Sequence, residues 1–170
     1  MFLFAAALMA ADGPQFTPDG QLMLPKNYRE WIFVTAGLGM TYGPAGAAQG
    51  QEPRFDNVFV TREAYTSFLS TGTWPDKTMF VLEVRSSQSK ASINKDGRFQ
   101  SDVVAIEAEV KDGGKWKFYG FGTGNPAGKQ IPATATCYSC HGQHGAVDNT
   151  FVQFYPTLLS VAKAKGTLKP

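Results

Sequence analysis

The sequence predicts a mainly β domain of the α+β type: an antiparallel sheet of about five strands with peripheral helices, followed late in the chain by a Cys-x-x-Cys-His motif. Three observations carry this expectation. Short runs rich in β-branched and aromatic residues recur through the middle of the chain. Two of them alternate on either side of a Gly113-Gly114 pair that marks a hairpin. The best stretch at helical spacing comes only after the motif.

Residues 1–11 form an apolar run ending in small residues, about the length of a signal-peptide core and too short to span a bilayer. They read as the remnant of an export signal. Residues 12–24, with Gly, Pro and Gln, read as a tether, and residues 25–170 as one domain. Pro25 to Glu30 favours a short helix with Pro at an early position. Trp31 to Ala36 reads as a strand, and the breaker-rich stretch from Gly37 to Gly50 as a loop long enough to reach over a ligand. Phe55 to Val60 is a second strand, after which Thr61 is placed to cap a short helix. Ser70 to Asp76 is a turn. Thr78 to Val84, Val103 to Val110 and Lys115 to Phe121 are further strands, and Thr123 to Pro132 a loop. Asn149 to Lys165 is the best helix, with Asp148 or Asn149 to cap it, Gly166 to end it and Pro156 to kink or split it.

With 170 residues, 43% hydrophobic and 18% charged, the chain is sized for one core. A net charge of +2, with Lys and Arg scattered, lacks the footprint of a nucleic-acid binder.

Cys137-Tyr138-Ser139-Cys140-His141 is the attachment signature of a c-type haem. Two thiols on one turn can each add to a vinyl group at the porphyrin edge, which puts the adjacent imidazole under the iron. Three other chemistries fit less well. A disulfide between these cysteines closes a tiny loop and constrains the unfolded chain little. A zinc site would crowd Cys137, Cys140, His141 and His144 together without the separation a zinc hairpin uses. A redox dithiol opens a helix early in a βαβ unit, whereas this pair is late. His141 is therefore the expected iron ligand. His144, tethered beside it, cannot reach the opposite haem face. Apart from an empty site, water or an exogenous ligand, the other common choice is Met, with Lys and Tyr as rarer ones. Met1 and Met9 fall in the signal, Met23 in the tether and Met79 in a strand, which leaves Met40 in its Gly-flanked loop, as sixth ligand or as a methionine packed on the sheet.

The sequence resembles the cytochrome P-460 and cytochrome c′-beta family. The likeness is carried by Asn27-Tyr28-Arg29-Glu30-Trp31, Phe55-Asp56-Asn57-Val58-Phe59-Val60, Gly72-Thr73-Trp74-Pro75-Asp76, Met79-Phe80-Val81-Leu82-Glu83 and the late haem motif. The resemblance implies a mainly β fold, a periplasmic homodimer, one covalent haem c with His141 proximal, and a reactive or gas-binding distal face. It implies distal phenylalanines, with Phe33, Phe55, Phe59 and Phe80 as candidates, and places Met40 where distal residues arise. P-460-like members carry a lysine cross-linked to the haem, at a position that falls near Arg85, with Lys90 or Lys95 as substitutes if the loop is shifted. A guanidinium stays protonated and cannot be the amine nucleophile of that bond.

Two function classes follow. The first is a cytochrome with no turnover of its own that binds a small gas such as nitric oxide, passes electrons to or from a redox partner protein, or does both. The second is an oxidoreductase acting on hydroxylamine, which needs a base at the haem. Glu107 and Glu109 alternate with apolar residues and read as the wet face of their strand, with one able to turn to the haem.

Overall fold

The computed structural model describes residues 13–42 and 52–170. The signal remnant, Asp12 and the Gly43 to Gly50 part of the expected loop lie outside the described residues. The described residues build one antiparallel sheet of seven strands in the order β1-β7-β6-β5-β4-β3-β2, and three α-helices.

The central strands form where β-branched and aromatic residues concentrate: β2 (Ile32–Leu38), β3 (Phe55–Val60), β4 (Met79–Gln88), β5 (Phe99–Asp112) and β6 (Lys115–Gly120). β5 and β6 turn at Gly113 and Gly114, both at positive φ (59° and 75°), the backbone a two-residue hairpin demands. The two strands beyond the expected five are β1 (Leu22–Met23) and β7 (Ala127–Gln130), which pair with each other at one side of the sheet. They lie in the segments read as tether and loop. Strands of two and four residues are too short for alternation to register. Leu22 is fully buried, so the supposed tether is part of the packed domain.

Each face of the sheet carries a core. On one side Leu22, Tyr28 and Trp31, from the segment before β2, cover Met79, Val81, Ile106, Ala108, Val110 and Tyr119. On the other, α1 (Arg62–Thr71) and α3 (Pro156–Lys165) bury Phe68, Leu158 and Ala162 against Val34, Val60, Trp74, Phe80 and Phe118. Rings interlock there, with Phe68 4.2 Å from Trp74 and Trp74 4.8 Å from Phe80. Each such side chain contributes roughly 1.5–3 kcal/mol by leaving water.

The expected helix from Asn149 to Lys165 is divided. A single 3₁₀ turn, Val152–Phe154, precedes α3, which Pro156 opens at its first position and Gly166 closes in the left-handed region (φ 67°). Asp148 and Asn149 do not cap it. They are the central pair of a tight turn from Val147 to Thr150, at φ 46° and 61°, closed by Thr150 N donating to the Val147 carbonyl at 2.8 Å. Positive φ at both places makes it a type I′ turn, which Asp and Asn tolerate.

Candidate functional site

The Cys-x-x-Cys-His motif lies on α2 (Thr136–His144), a short helix over the helix-covered face of the sheet. Helical spacing puts Cys137 and Cys140 on one side, and His141 next to Cys140. All three border one cavity of about 450 Å³. The cysteines are not bonded to each other. His144 is exposed and outside the cavity lining. Among the described residues no group of three or more His, Cys, Asp or Glu could hold a metal ion, so the zinc alternative has no ligand set.

The wall facing α2 is the sheet. β-Bulge geometry between Phe33 and Thr35 shifts the register of β2, so that Thr35 and Gly37 point into the cavity on the same side as Val34. Asp56 and Val58 arrive from β3, Phe80 and Leu82 from β4, Glu107 and Glu109 from β5. Phe151, Phe154 and Tyr155 close the side nearest α3.

The environment of His141 favours a neutral imidazole. Burial pushes its pKa down, against the opposing effect of a hydrogen bond at 3.0 Å between Nδ1 and the Asn149 carbonyl. That bond requires the proton on Nδ1 and leaves the Nε2 lone pair unprotonated and free to coordinate. The ring is fixed between Phe118 at 4.6 Å and Phe151 at 4.5 Å.

Both glutamates of β5 border the cavity; Glu107 is exposed, as expected of a wet strand face, while Glu109 is buried, which corrects that expectation for the second. The reason is that Ile106, Ala108 and Val110 are claimed by the core on the other side of the sheet, so the polar half of the alternation falls under α2. Burial, reinforced by the nearby Asp148, raises Glu109 to about 8. Its Oε2 has no hydrogen-bond partner and lies 3.4 Å from His141 Nδ1. An unpaired ionised carboxylate at this depth would cost several kcal/mol, so near neutral pH the acid keeps its proton and the contact is not an ion pair. Glu107 borders the open part of the cavity and is also raised by burial; Asp56 is raised by burial and by Glu107, against the pull of Arg54.

Met40 lines the cavity. Its sulfur is the acceptor of a weak contact from the Tyr42 hydroxyl at 3.9 Å and packs onto Gly37, where a Cβ would lie 2.5 Å from Sδ. Tyr42 stacks parallel to Phe151 at 6.3 Å, bridging the two sides of the cavity.

The other expected site residues lie elsewhere. Phe55 and Phe59 alternate with Asp56 and Val58 and face the opposite side of the sheet; Phe33 packs on Phe59 at 5.7 Å and is half exposed. Of the phenylalanines named, Phe80 alone borders the cavity. Arg85 also points away. Its Nε donates to Glu83 Oε1, and Tyr28 and Arg29 bind the other carboxylate oxygen. Lys90 and Lys95 are exposed in the β4–β5 connection, and among the described residues no lysine borders the cavity.

Sequence reasoning missed Asp56, Tyr42, Phe151, Tyr155 and the Asn149 carbonyl. Asp56 had a signal, an acid in phase with the core residues Val58 and Val60. The others depend on tertiary folding.

The residues fit a haem held from α2: two thiols for its edge, a neutral imidazole oriented by a carbonyl, apolar rings, and a buried unpartnered carboxyl oxygen beside the imidazole. No curated protein matches the chain. The family model described as Cytochrome P460 matches residues 25–152. That match covers more than half of the chain and runs from the segment before the first 3₁₀ turn through the haem motif, so the chain belongs to the cytochrome P460 family and is a haem-binding cytochrome.

Proposed function

We propose that this chain is an exported c-type cytochrome with one haem, bonded through Cys137 and Cys140 and ligated by His141 Nε2, that binds a small gas such as nitric oxide and exchanges electrons with a redox partner protein. The observation that carries this reading is the convergence of both thiols and a neutral, carbonyl-oriented imidazole on one cavity. When bound, the haem supplies an iron that takes up a diatomic ligand and cycles between ferric and ferrous. The chain's part is to hold it. The helix fixes the thiols at its edge, Asn149 fixes the imidazole tautomer, and Val58, Leu82, Phe80 and Phe151 keep much of the cavity apolar. In this reading Met40 is the sixth ligand, supported by its packing on Gly37 at the cavity wall. The apolar run in residues 1–11 supports export to the periplasm, and the family resemblance supports a homodimer. No helix among the described residues is long and apolar enough to cross a membrane.

Placement of the lysines supports an uncross-linked haem: none borders the cavity among the described residues, and Arg85 is held away by Glu83. A second reading, hydroxylamine oxidation, is favoured by Glu107 and Asp56, carboxyls on the cavity wall whose pKa values burial raises, the direction that makes a carboxylate a stronger base. Absorption spectra of the ferric and ferrous protein separate the two. The first reading expects an ordinary c-type Soret band, and intact mass equal to polypeptide plus haem. A red-shifted ferrous band, with hydroxylamine turnover that Glu107→Gln abolishes, would make oxidation the function. Haem extracted by acid-acetone would reject covalent attachment.

A further inference from the structure

We propose that Lys111 and Asp148 are positioning residues for the proximal ligand: their ion pair fixes the turn that holds the Asn149 carbonyl on His141, and through that hydrogen bond it helps set the reduction potential. This rests on the reading of His141 as iron ligand.

The turn from Val147 to Thr150 presents its carbonyl by an unusual backbone, with Asp148 and Asn149 successively at φ 46° and 61°. It is tied down from several directions. Lys111 Nζ, on β5, donates to Asp148 Oδ2 at 2.6 Å and to the Trp74 carbonyl at 2.8 Å. Trp74 Nε1 donates to Thr150 Oγ1 at 2.8 Å. Lys169 Nζ, on the surface, donates to Asn149 Oδ1 at 3.0 Å and to the Gly142 carbonyl at 2.9 Å. Lys111 differs from a surface lysine in that its side chain is only 15% exposed, committed to one carboxylate and one carbonyl. Its strand also carries Glu109, 3.4 Å from the same imidazole nitrogen. Strand β5 and the turn thus form one clamp around Nδ1.

The geometry has an electronic consequence. An imidazole that donates firmly through Nδ1 is more basic at Nε2 and stabilises ferric over ferrous iron. If the turn slackens, the carbonyl withdraws and the potential rises.

Charge and positioning make opposite forecasts for Lys111 and the same forecast for Asp148, so the sign at Lys111 decides. As bare charges, removing Lys111 would lower the potential and removing Asp148 would raise it. As a positioning pair, either loss slackens the same turn, and both raise it. The experiment measures the reduction potential of the haem-loaded protein, and the solvent exchange of the His141 ring N–H by NMR, for the unmutated chain, Lys111→Met, Asp148→Gly and Lys111→Arg. Asp148→Gly keeps a residue suited to φ 46°, so the turn survives while its pin is lost. The expected result is a rise in potential and faster ring N–H exchange in both Lys111→Met and Asp148→Gly, with Lys111→Arg restoring both. Shifts of opposite sign, or unmoved potentials in a haem-loaded chain, overturn the positioning role alone. An unmutated chain that carries no haem overturns the functional reading and this one together.

Discussion

Glu83 is a buried carboxylate on the face of the sheet away from the haem cavity, and it is fully occupied. Burial works against its charge, but hydrogen bonds from Arg85, Tyr28 and Arg29 outweigh that and hold its pKa below the ordinary carboxyl value. Removing it leaves three donors without their shared acceptor. Arg29, about half exposed, can turn to water, so the cost of Glu83→Ala should fall at about 2–3 kcal/mol, the low side of a broken buried pair. The pH dependence follows from the lowered pKa. The stabilisation is present above the unfolded value of about 4.3 and is lost as pH falls through the folded one, so urea midpoints of Glu83→Ala and the unmutated protein should differ at pH 7 and converge in acid. Met40 tests the other face. If its sulfur ligates iron, the ferric protein is low-spin with a weak near-infrared sulfur-to-iron band; Met40→Ala turns it five-coordinate or water-bound, lowers the potential and speeds nitric oxide binding. Gly37→Ala should do the same in part, because the new Cβ would lie 2.5 Å from Met40 Sδ. A high-spin ferric spectrum indifferent to both substitutions would return Met40 to loop packing.

Elements differ in how openly the sequence declares them. The motif, the five longer strands and the Gly113-Gly114 hairpin were legible because each repeats a local rule over several residues. The face a strand shows to a cofactor was not. Glu109 read as solvated along with the exposed Glu107 because alternation says that two faces differ, not which face a helix will cover or where along it. Phe33, Phe55 and Phe59 misled for the same reason: they are aromatic and in strands, but one residue out of phase with the cavity. The Asp148-Asn149 turn was read as a helix cap, since both roles favour the same residues. Gly145, between α2 and that turn, now has a specific job. A Cβ there would lie 2.4 Å from the Asn149 carbonyl carbon and 2.7 Å from the His141 carbonyl oxygen, both backbone atoms. Gly145→Ala should therefore push the turn off α2, destabilise the fold by about 1–3 kcal/mol as overpacking does, and raise the reduction potential. Thermal unfolding and potentiometry check the two parts; an unchanged potential would show that α2 and the turn move together.

At the scale of the molecule, the sheet separates two tasks: one face supports the candidate cavity and the helices, the other is sealed by the chain before β2. The family match begins at residue 25, yet the packed unit begins earlier. Leu22 is wholly buried, β1 pairs with β7 through Leu22 with Gly128 and Met23 with Ala127, and Phe16 approaches Tyr119 at 6.0 Å. β7 joins β6 only through Tyr119 with Gln130 and Gly120 with Lys129. It is followed by a connection tied at both ends: Ile131 N donates to the Phe118 carbonyl, and the hydroxyl of Tyr138 on α2 donates to the Ile131 carbonyl. This connection leads directly into α2 and Cys137. A chain starting at Pro25 should therefore lose more than the burial of Leu22 and its neighbours. Uncovering Leu22 alone forfeits about 1.5–3 kcal/mol, and β7, paired on one side only, loosens the approach to α2. The truncated chain, compared with one starting at Gly13, should unfold at lower urea and carry less covalent haem per polypeptide when both are matured in the same way. Equal stability and equal haem content in the two would place the true domain boundary at residue 25 and reduce β1 to an ornament on the sheet.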